Sequence, residues 1–240
     1  MARVPRLSKW RFQAGLQCPK QLWLLCRAFD RADDITEAQQ ALFDHGQRIG
    51  TLGREYFPGG VLVEQDHLHC AEALGATRYF LSEGFRCIYE GAFEHDGAFV
   101  RSDVIIRKDD DTWTLVEVKS STQVKPEHVT DLGIQAYVLR GAGLAVSTCA
   151  VLHIDDSCPR ESDSCDVRRM FTLVDVTADV EQFLPSLPSL VARMKHMLLG
   201  PCPDIPTSPR CDEPHRCRFY GYCHEAPPVL ATAGADSTAC

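Results

Sequence analysis

The stretch AFVRSDVIIRKDDDTWTLVEVK, Ala98 to Lys119, reads as two apolar strands joined by an acidic turn. Asp109-Asp110-Asp111 has turn chemistry, and the runs on either side are rich in β-branched and aromatic residues. With a three-residue loop, Lys108 pairs with Thr112, and the same register sets Asp103 across from Glu117. Side chains alternate faces along a strand, so Asp103, Glu117 and Lys119 share one face. Two carboxylates and a lysine then converge among Val104, Ile105, Leu115, Val116 and Val118. Charges in such surroundings are costly unless paired or bound to a metal. A hard divalent cation relieves the repulsion between two carboxylates, and Mg²⁺ takes a few carboxylates together with phosphate oxygens. The lysine can stabilise charge developing on a phosphate. A lone E-x-K more commonly marks a surface ion pair; the matching register of Asp103 brings the catalytic reading level with that one.

Outward from the hairpin, the pattern is mixed. Ser8 caps a short helix opening at Lys9, and Pro19 opens a second through Leu25. Thr36-Glu37 begins a long helix with Ala38, Leu42, Ile49, Leu52 and Tyr56 on one side, ended by Pro58-Gly59-Gly60. A short strand over 61–63 and a helix over 69–81 follow. Arg86–Glu94 is a third strand of the hairpin region, turned at Asp96-Gly97. Pro126 opens a helix to about Leu139, and strands follow at 144–154 and 170–176. Residues 179–199 read as a helix kinked or split by Pro185 and Pro188. This order predicts an α/β fold with a mixed central sheet flanked by helices.

The chain has 240 residues and 12 cysteines, too long and too cysteine-poor for a disulfide scaffold. Apolar residues are 45% and charged residues 24%, ordinary for a globular protein. No apolar run approaches the roughly 18 residues of a membrane span, and no signal peptide is read after the basic first residues. The expected location is cytoplasmic, where persistent disulfides are uncommon. The net charge of −8 argues against coating nucleic acid by bulk charge.

Asp103 with Glu117-Val118-Lys119 resembles the D…(D/E)-x-K core of the PD-(D/E)XK nuclease superfamily, which has a restriction-endonuclease-like fold. Gln135 and Tyr137 on the next helix resemble the Q…Y motif of its RecB-like branch, although here Tyr137 follows by two residues rather than four. Gly46–Gly50 resembles the branch's G-x-x-x-H element with Gly50 where the histidine would stand. The first-motif ligand is then Glu55, His45, or absent. The resemblance implies hydrolysis of DNA phosphodiester bonds. Asp103 and Glu117, with the Val118 carbonyl, would hold Mg²⁺ or Mn²⁺, Lys119 would assist, and Gln135 would orient the site. Tyr137, Arg101 and His128 are candidate substrate contacts.

Cys211-x5-Cys217-x5-Cys223 lies near the end of the chain and Cys18 near its start, four thiols that can make one metal site. Such a site would join the two ends of the fold. The set resembles the iron–sulfur staple of CRISPR-associated RecB-like exonucleases and of related RecB-like nucleases that share the Leu7-Ser8-Lys9 and Gln17-Cys18-Pro19-Lys20 opening. That resemblance implies a [4Fe–4S] cluster; zinc would accept the same four thiolates. Cys87 and Cys149 fall in strands and read as core. The expected organisation is an N-terminal helical segment (1–35), a nuclease core (36–200), a cysteine segment (201–224) and a disordered tail (225–240).

Lys9, Arg11 and Lys20 near Cys18, with Arg210, Arg216, Arg218, Phe219 and Tyr220 near the other thiols, predict one basic and aromatic patch. Such a patch suits single-stranded DNA. The reading is therefore a metal-dependent deoxyribonuclease, an exonuclease on single-stranded ends. The alternative is a nucleic-acid-binding protein that keeps the fold without cleavage, which Gly50 favours.

Overall fold

The computed structural model describes residues 4–155 and 166–225. The expected tail beyond residue 225 lies outside them. The hairpin forms in the predicted register. Strands β3 (Cys87–His95), β4 (Ala98–Arg107) and β5 (Trp113–Lys119) make an antiparallel meander. Arg107 pairs with Trp113 and Val104 with Val116. The Lys108 N–H donates to the Thr112 carbonyl at 2.7 Å, and Asp111 takes the left-handed conformation (φ 62°) that closes a three-residue loop. Asp96 and Gly97 both have positive φ, as the two-residue β3–β4 turn requires.

Among the described residues the sheet has seven strands. Its order is β2 (Val61–Leu62), β3, β4, β5, β6 (Val146–Ile154) and β7 (Phe171–Asp175). A two-residue β1 (Leu7–Ser8), absent from the sequence reading, pairs with Ala98 and Phe99 of β4. β5 and β6 are parallel, linked by helix α5 (Pro126–Gly141), so the sheet is mixed. α5 is enclosed on nearly all sides; Leu132, Ile134, Ala136, Val138 and Leu139 are fully buried.

Helices cover both faces. Helices α1 (Lys9–Gln17), α4 (Cys70–Ser82), α5 and α7 (Leu187–Met197) build one core with Ile88, Ile105 and Leu115. α3 (Glu37–Tyr56) covers the other face, where Ile49 packs with Tyr89, Val104, Val116 and Leu152. Only the second half of α3 is anchored; Leu42, expected on its buried side, is 68% exposed. The proline-bearing segment after β7 is split, as expected, into α6 (Thr177–Phe183), a short 3₁₀ turn and α7. Cys70 is disulfide-bonded, against the expectation of free thiols.

The two ends of the chain meet. α2 (Pro19–Arg27) packs Leu24 and Leu25 against Cys217 and Phe219, which is fully buried. The Asp33 N–H donates to the Arg218 carbonyl at 2.7 Å, and Gln17 Nε2 donates to the Arg210 and His215 carbonyls. The joining of N- and C-terminal segments is thus made by apolar packing and backbone hydrogen bonds. Among the described residues, no three Cys, His, Asp or Glu side chains are drawn closely enough together to hold a metal ion.

Candidate active site

The site is built on the α1- and α5-facing side of β4 and β5. Asp103 and Glu117 follow the register that pairs Val104 with Val116, and the Val118 N–H donates to Asp103 Oδ2 at 2.7 Å. Glu117 is only 2% exposed. Its Oε2 accepts from Gln135 Nε2 at 2.7 Å; its Oε1 lies 2.8 Å from Lys119 Nζ and 2.7 Å from Lys9 Nζ. Lys119 Nζ also meets Asp131 Oδ2 at 2.6 Å. Gln13 Nε2 donates to the other oxygen of Asp131 at 2.8 Å and to Thr130 Oγ1 at 2.7 Å.

The charges are strongly coupled. Burial, and next the charge of Glu117, push the Asp103 carboxyl up to about 7. Burial works in the same direction on Glu117, but Lys119 and Lys9 outweigh it and hold that carboxyl well below the usual range. Burial opposes the charge of Lys119, yet Glu117 and Asp131 keep it protonated. One carboxyl is therefore poised to share or release a proton while its neighbour stays ionised. Such a split is a mark of functional carboxylate pairs.

These donors fit a hard divalent cation. Two adjacent carboxylates offer oxygen ligands. The Gln135 side chain is fully buried, and its Oε1 has no hydrogen-bond partner. The ammonium of Lys9 lies where positive charge is most favourable. Glu90, at φ 56° between Tyr89 and Gly91, pairs with Arg101 and does not complete a three-carboxylate metal site, but its charge helps raise the Asp103 carboxyl.

Other expected residues fall elsewhere. α3 packs on the opposite face, where Gly53 abuts the Val118 side chain, so the structure does not bring Glu55 or His45 to Asp103 and Glu117. The face of the sheet on which a helix packs is a tertiary choice that its periodicity does not reveal. Arg101 is on the face of Asp103 and Glu117, but its guanidinium binds the Val63 and Gln65 carbonyls and pairs with Glu90. His128 is buried, and its Nδ1 accepts from the Lys125 N–H, capping α5. Tyr137 lies at the β3–β4 turn and not at Asp103 and Glu117; its hydroxyl donates to Asp96 at 3.3 Å and its ring packs edge-on against His95. Gln135 and Tyr137, two residues apart on a helix, cannot share a face.

Gln13, Asp131 and Glu90 are not among the sequence candidates, and Lys9, expected in the basic patch near Cys18, sits instead on Glu117. A signal for three of them was present. Lys9 with Gln13, and Asp131 with Gln135, are four apart and so lie on one face of their helices.

Cys18, Cys211, Cys217 and Cys223 line a single cavity with Lys20, Leu24 and Phe219. All four are free thiols. Burial pushes the Cys217 thiol up to about 11. Four thiols suit a thiophilic metal or cluster, although their separations do not form a closed ligand set. Of the predicted patch, Phe219 is core and Arg218 is tied to Asp33. Arg216 lies over the Tyr220 ring at 3.9 Å, and that ring stacks on His224 at 3.9 Å.

Among the described residues no helix is long and apolar enough to cross a membrane. No protein-family model matches the chain, and no curated protein matches it. Two of the solved structures that resemble it distantly are the following. An alkaline exonuclease (LHK-Exo) from Laribacter hongkongensis is 14% identical, with TM-score 0.40 over 81% of this chain and 92% of that one. SSO0001 is 15% identical, with TM-score 0.38 over 93% of this chain and 88% of that one.

Proposed function

We propose that this protein is a metal-dependent nuclease that hydrolyses phosphodiester bonds in DNA, working as an exonuclease on single-stranded ends. One observation carries the reading. Asp103 and Glu117 stand side by side on a largely apolar sheet face, with Lys119 2.8 Å from Glu117 Oε1. Asp103 and Glu117 would hold Mg²⁺ or Mn²⁺, with the Val118 carbonyl as a further oxygen donor. When bound, the cation supplies positive charge to the phosphate and lowers the pKa of water.

The protein groups have separate tasks. Lys119, kept protonated and anchored by Asp131, offers fixed positive charge to phosphoryl oxygens as negative charge builds there. Gln135 fixes the rotamer of Glu117 through Oε2. Asp103, with its raised pKa, can hold a proton near neutral pH when no cation is present.

Cys18, Cys211, Cys217 and Cys223 are proposed to hold a [4Fe–4S] cluster, with zinc as the other group that four thiols accommodate. The preference for single strands is supported by the surface stack of Arg216, Tyr220 and His224 beside that cavity.

The test uses end-labelled single-stranded DNA and a circular control with Mn²⁺. Shortening of the linear strand is expected, and Asp103→Asn and Glu117→Gln should slow it by about 100-fold or more. Equal activity in Asp103→Asn, or none in the parent protein, sinks the proposal. Cutting of the circle would make it an endonuclease.

A further inference from the structure

Glu117 Oε1 carries two ammonium groups, Lys119 at 2.8 Å and Lys9 at 2.7 Å. Two like charges crowd one oxygen, and each works against the protonation of the other. They are not held alike. Lys119 has a second carboxylate, Asp131, at 2.6 Å. Among the described residues Glu117 is the only hydrogen-bond partner of the Lys9 ammonium. The Lys9 side chain is 26% exposed and that of Lys119 23%, so the two differ in their anchors and not in their exposure.

The placement of Lys9 is specific and runs against local helix preference. β1 anchors to β4, the strand that carries Asp103, and Ser8 caps α1 by accepting from the Arg11 N–H. Lys9 and Arg11 therefore stand in the first turn, which has no acidic residue. Cations are disfavoured at that end of a helix by its dipole. A sequence that breaks a local rule without a packing gain does so most often at a functional site. Gln13, one turn on, ties the same helix to Asp131.

From these observations we infer that Lys9 is a second active-site lysine, which leaves Glu117 when a divalent cation binds there and contacts the scissile phosphate. This rests on the phosphodiesterase reading of the site. The exchange moves no covalent bond. A cation on Asp103 and Glu117 weakens the hold of Glu117 on both lysines, and Asp131 retains Lys119. Lys9, with no second anchor, is the one released, and an incoming phosphodiester is the new anion within its reach. It would then stabilise charge on the phosphate alongside the anchored Lys119.

The test compares the full chain with Lys9→Gln, which keeps a hydrogen-bond donor for Glu117 but no charge, and with Lys9→Arg. Three quantities are measured: Mn²⁺ affinity by calorimetry, binding of a fluorescent single-stranded oligonucleotide with Ca²⁺ in place of Mn²⁺, and single-turnover cleavage at saturating Mn²⁺. Lys9→Gln should bind Mn²⁺ about threefold more tightly or better, because a competing cation is gone. It should bind the oligonucleotide more weakly and cleave about 100-fold more slowly. Lys9→Arg should cleave within about tenfold of the parent. Wild-type cleavage by Lys9→Gln at saturating Mn²⁺, or no tightening of Mn²⁺, overturns the inference and leaves Lys9 a structural counter-ion. If the parent chain cleaves nothing, the nuclease reading alone falls. The Mn²⁺ and oligonucleotide arms then still decide the role of Lys9.

Discussion

Lys119 Nζ lies 2.6 Å from Asp131 Oδ2, a carboxylate delivered by the helix after the strand that carries the lysine. This contact, with Gln13 on the other oxygen of Asp131, fixes the lysine relative to Glu117. It gives a side chain with four rotatable bonds a defined place. A catalytic charge is worth most when it need not reorganise during the reaction.

Asp131→Asn should therefore loosen Lys119 without removing it. Asp131 is buried and Lys119 is less than a quarter exposed, so the stability loss should be about 1–3 kcal/mol in urea unfolding. Cleavage should fall by about tenfold or more at saturating metal. Wild-type cleavage with a clear stability loss would make Asp131 a purely structural partner.

The raised Asp103 carboxyl sets a pH dependence. Its ordinary value is 3.8, and in the fold it reaches about 7 through burial and Glu117. The folded chain thus binds a proton that the unfolded chain releases as pH rises from about 4 to 7. Without a cation, stability should fall across that window. Mn²⁺ must displace the same proton, so its affinity should rise about tenfold per pH unit below 7 and level off above it. Calorimetry at several pH values would show this, and Asp103→Asn should flatten the profile. An unchanged slope in that variant would assign the proton elsewhere.

Phe219 and Tyr220 are neighbours with opposite roles. Phe219 is fully buried against α2, so Phe219→Ala should cost about 3–5 kcal/mol. Tyr220 sits in the surface stack, so Tyr220→Ala should change stability little but weaken oligonucleotide binding by about 1–3 kcal/mol. Equal binding by Tyr220→Ala would remove the stack from the substrate path.

If Cys18, Cys211, Cys217 and Cys223 hold a cluster as proposed, the visible spectrum will report it. Anaerobically purified protein should show the visible absorption of an iron–sulfur cluster, with iron in elemental analysis. Cys217→Ser should lose it and melt roughly 10 °C lower. A colourless, zinc-containing protein would replace the cluster with zinc and leave the nuclease proposal standing.

Two glycines of α3 should respond in opposite ways. A Cβ at Gly53 would come within 2.7 Å of the Val118 side chain, whereas at Gly50 it meets nothing within 4 Å. Gly53→Ala should cost about 1–3 kcal/mol by overpacking beneath β5. Gly50→Ala should stabilise by about 0.5–1 kcal/mol through helix propensity alone. Urea midpoints of the two variants test the assigned face of α3.

The hairpin shows how far local sequence reaches. The turn Asp109–Asp111 sets the register, and the register sets Asp103 across from Glu117, because strand period and loop length are local properties. Helix ends were legible for the same reason: Ser8, Thr36 and Pro126 act on their own first turns. α3 was misjudged over its first half, since its apolar spacing does not say how much of its length the sheet can cover. Glu90 was unreadable because its left-handed backbone breaks the alternation that assigns strand faces.

By itself, then, the sequence determined the strand order of the meander, the shared face of Asp103, Glu117 and Lys119, and Gln135 as a residue of the following helix. Each depends on contacts between residues close in the chain. The tertiary structure decided which helices attend that face. It brought Lys9 across 108 residues to Glu117, and Gln13 across 118 residues to Asp131. It sent α3, with Glu55 and His45, to the other side. Such choices follow from how whole helices bury their apolar faces on a two-sided sheet. No local pattern encodes which side of the sheet each helix will cover.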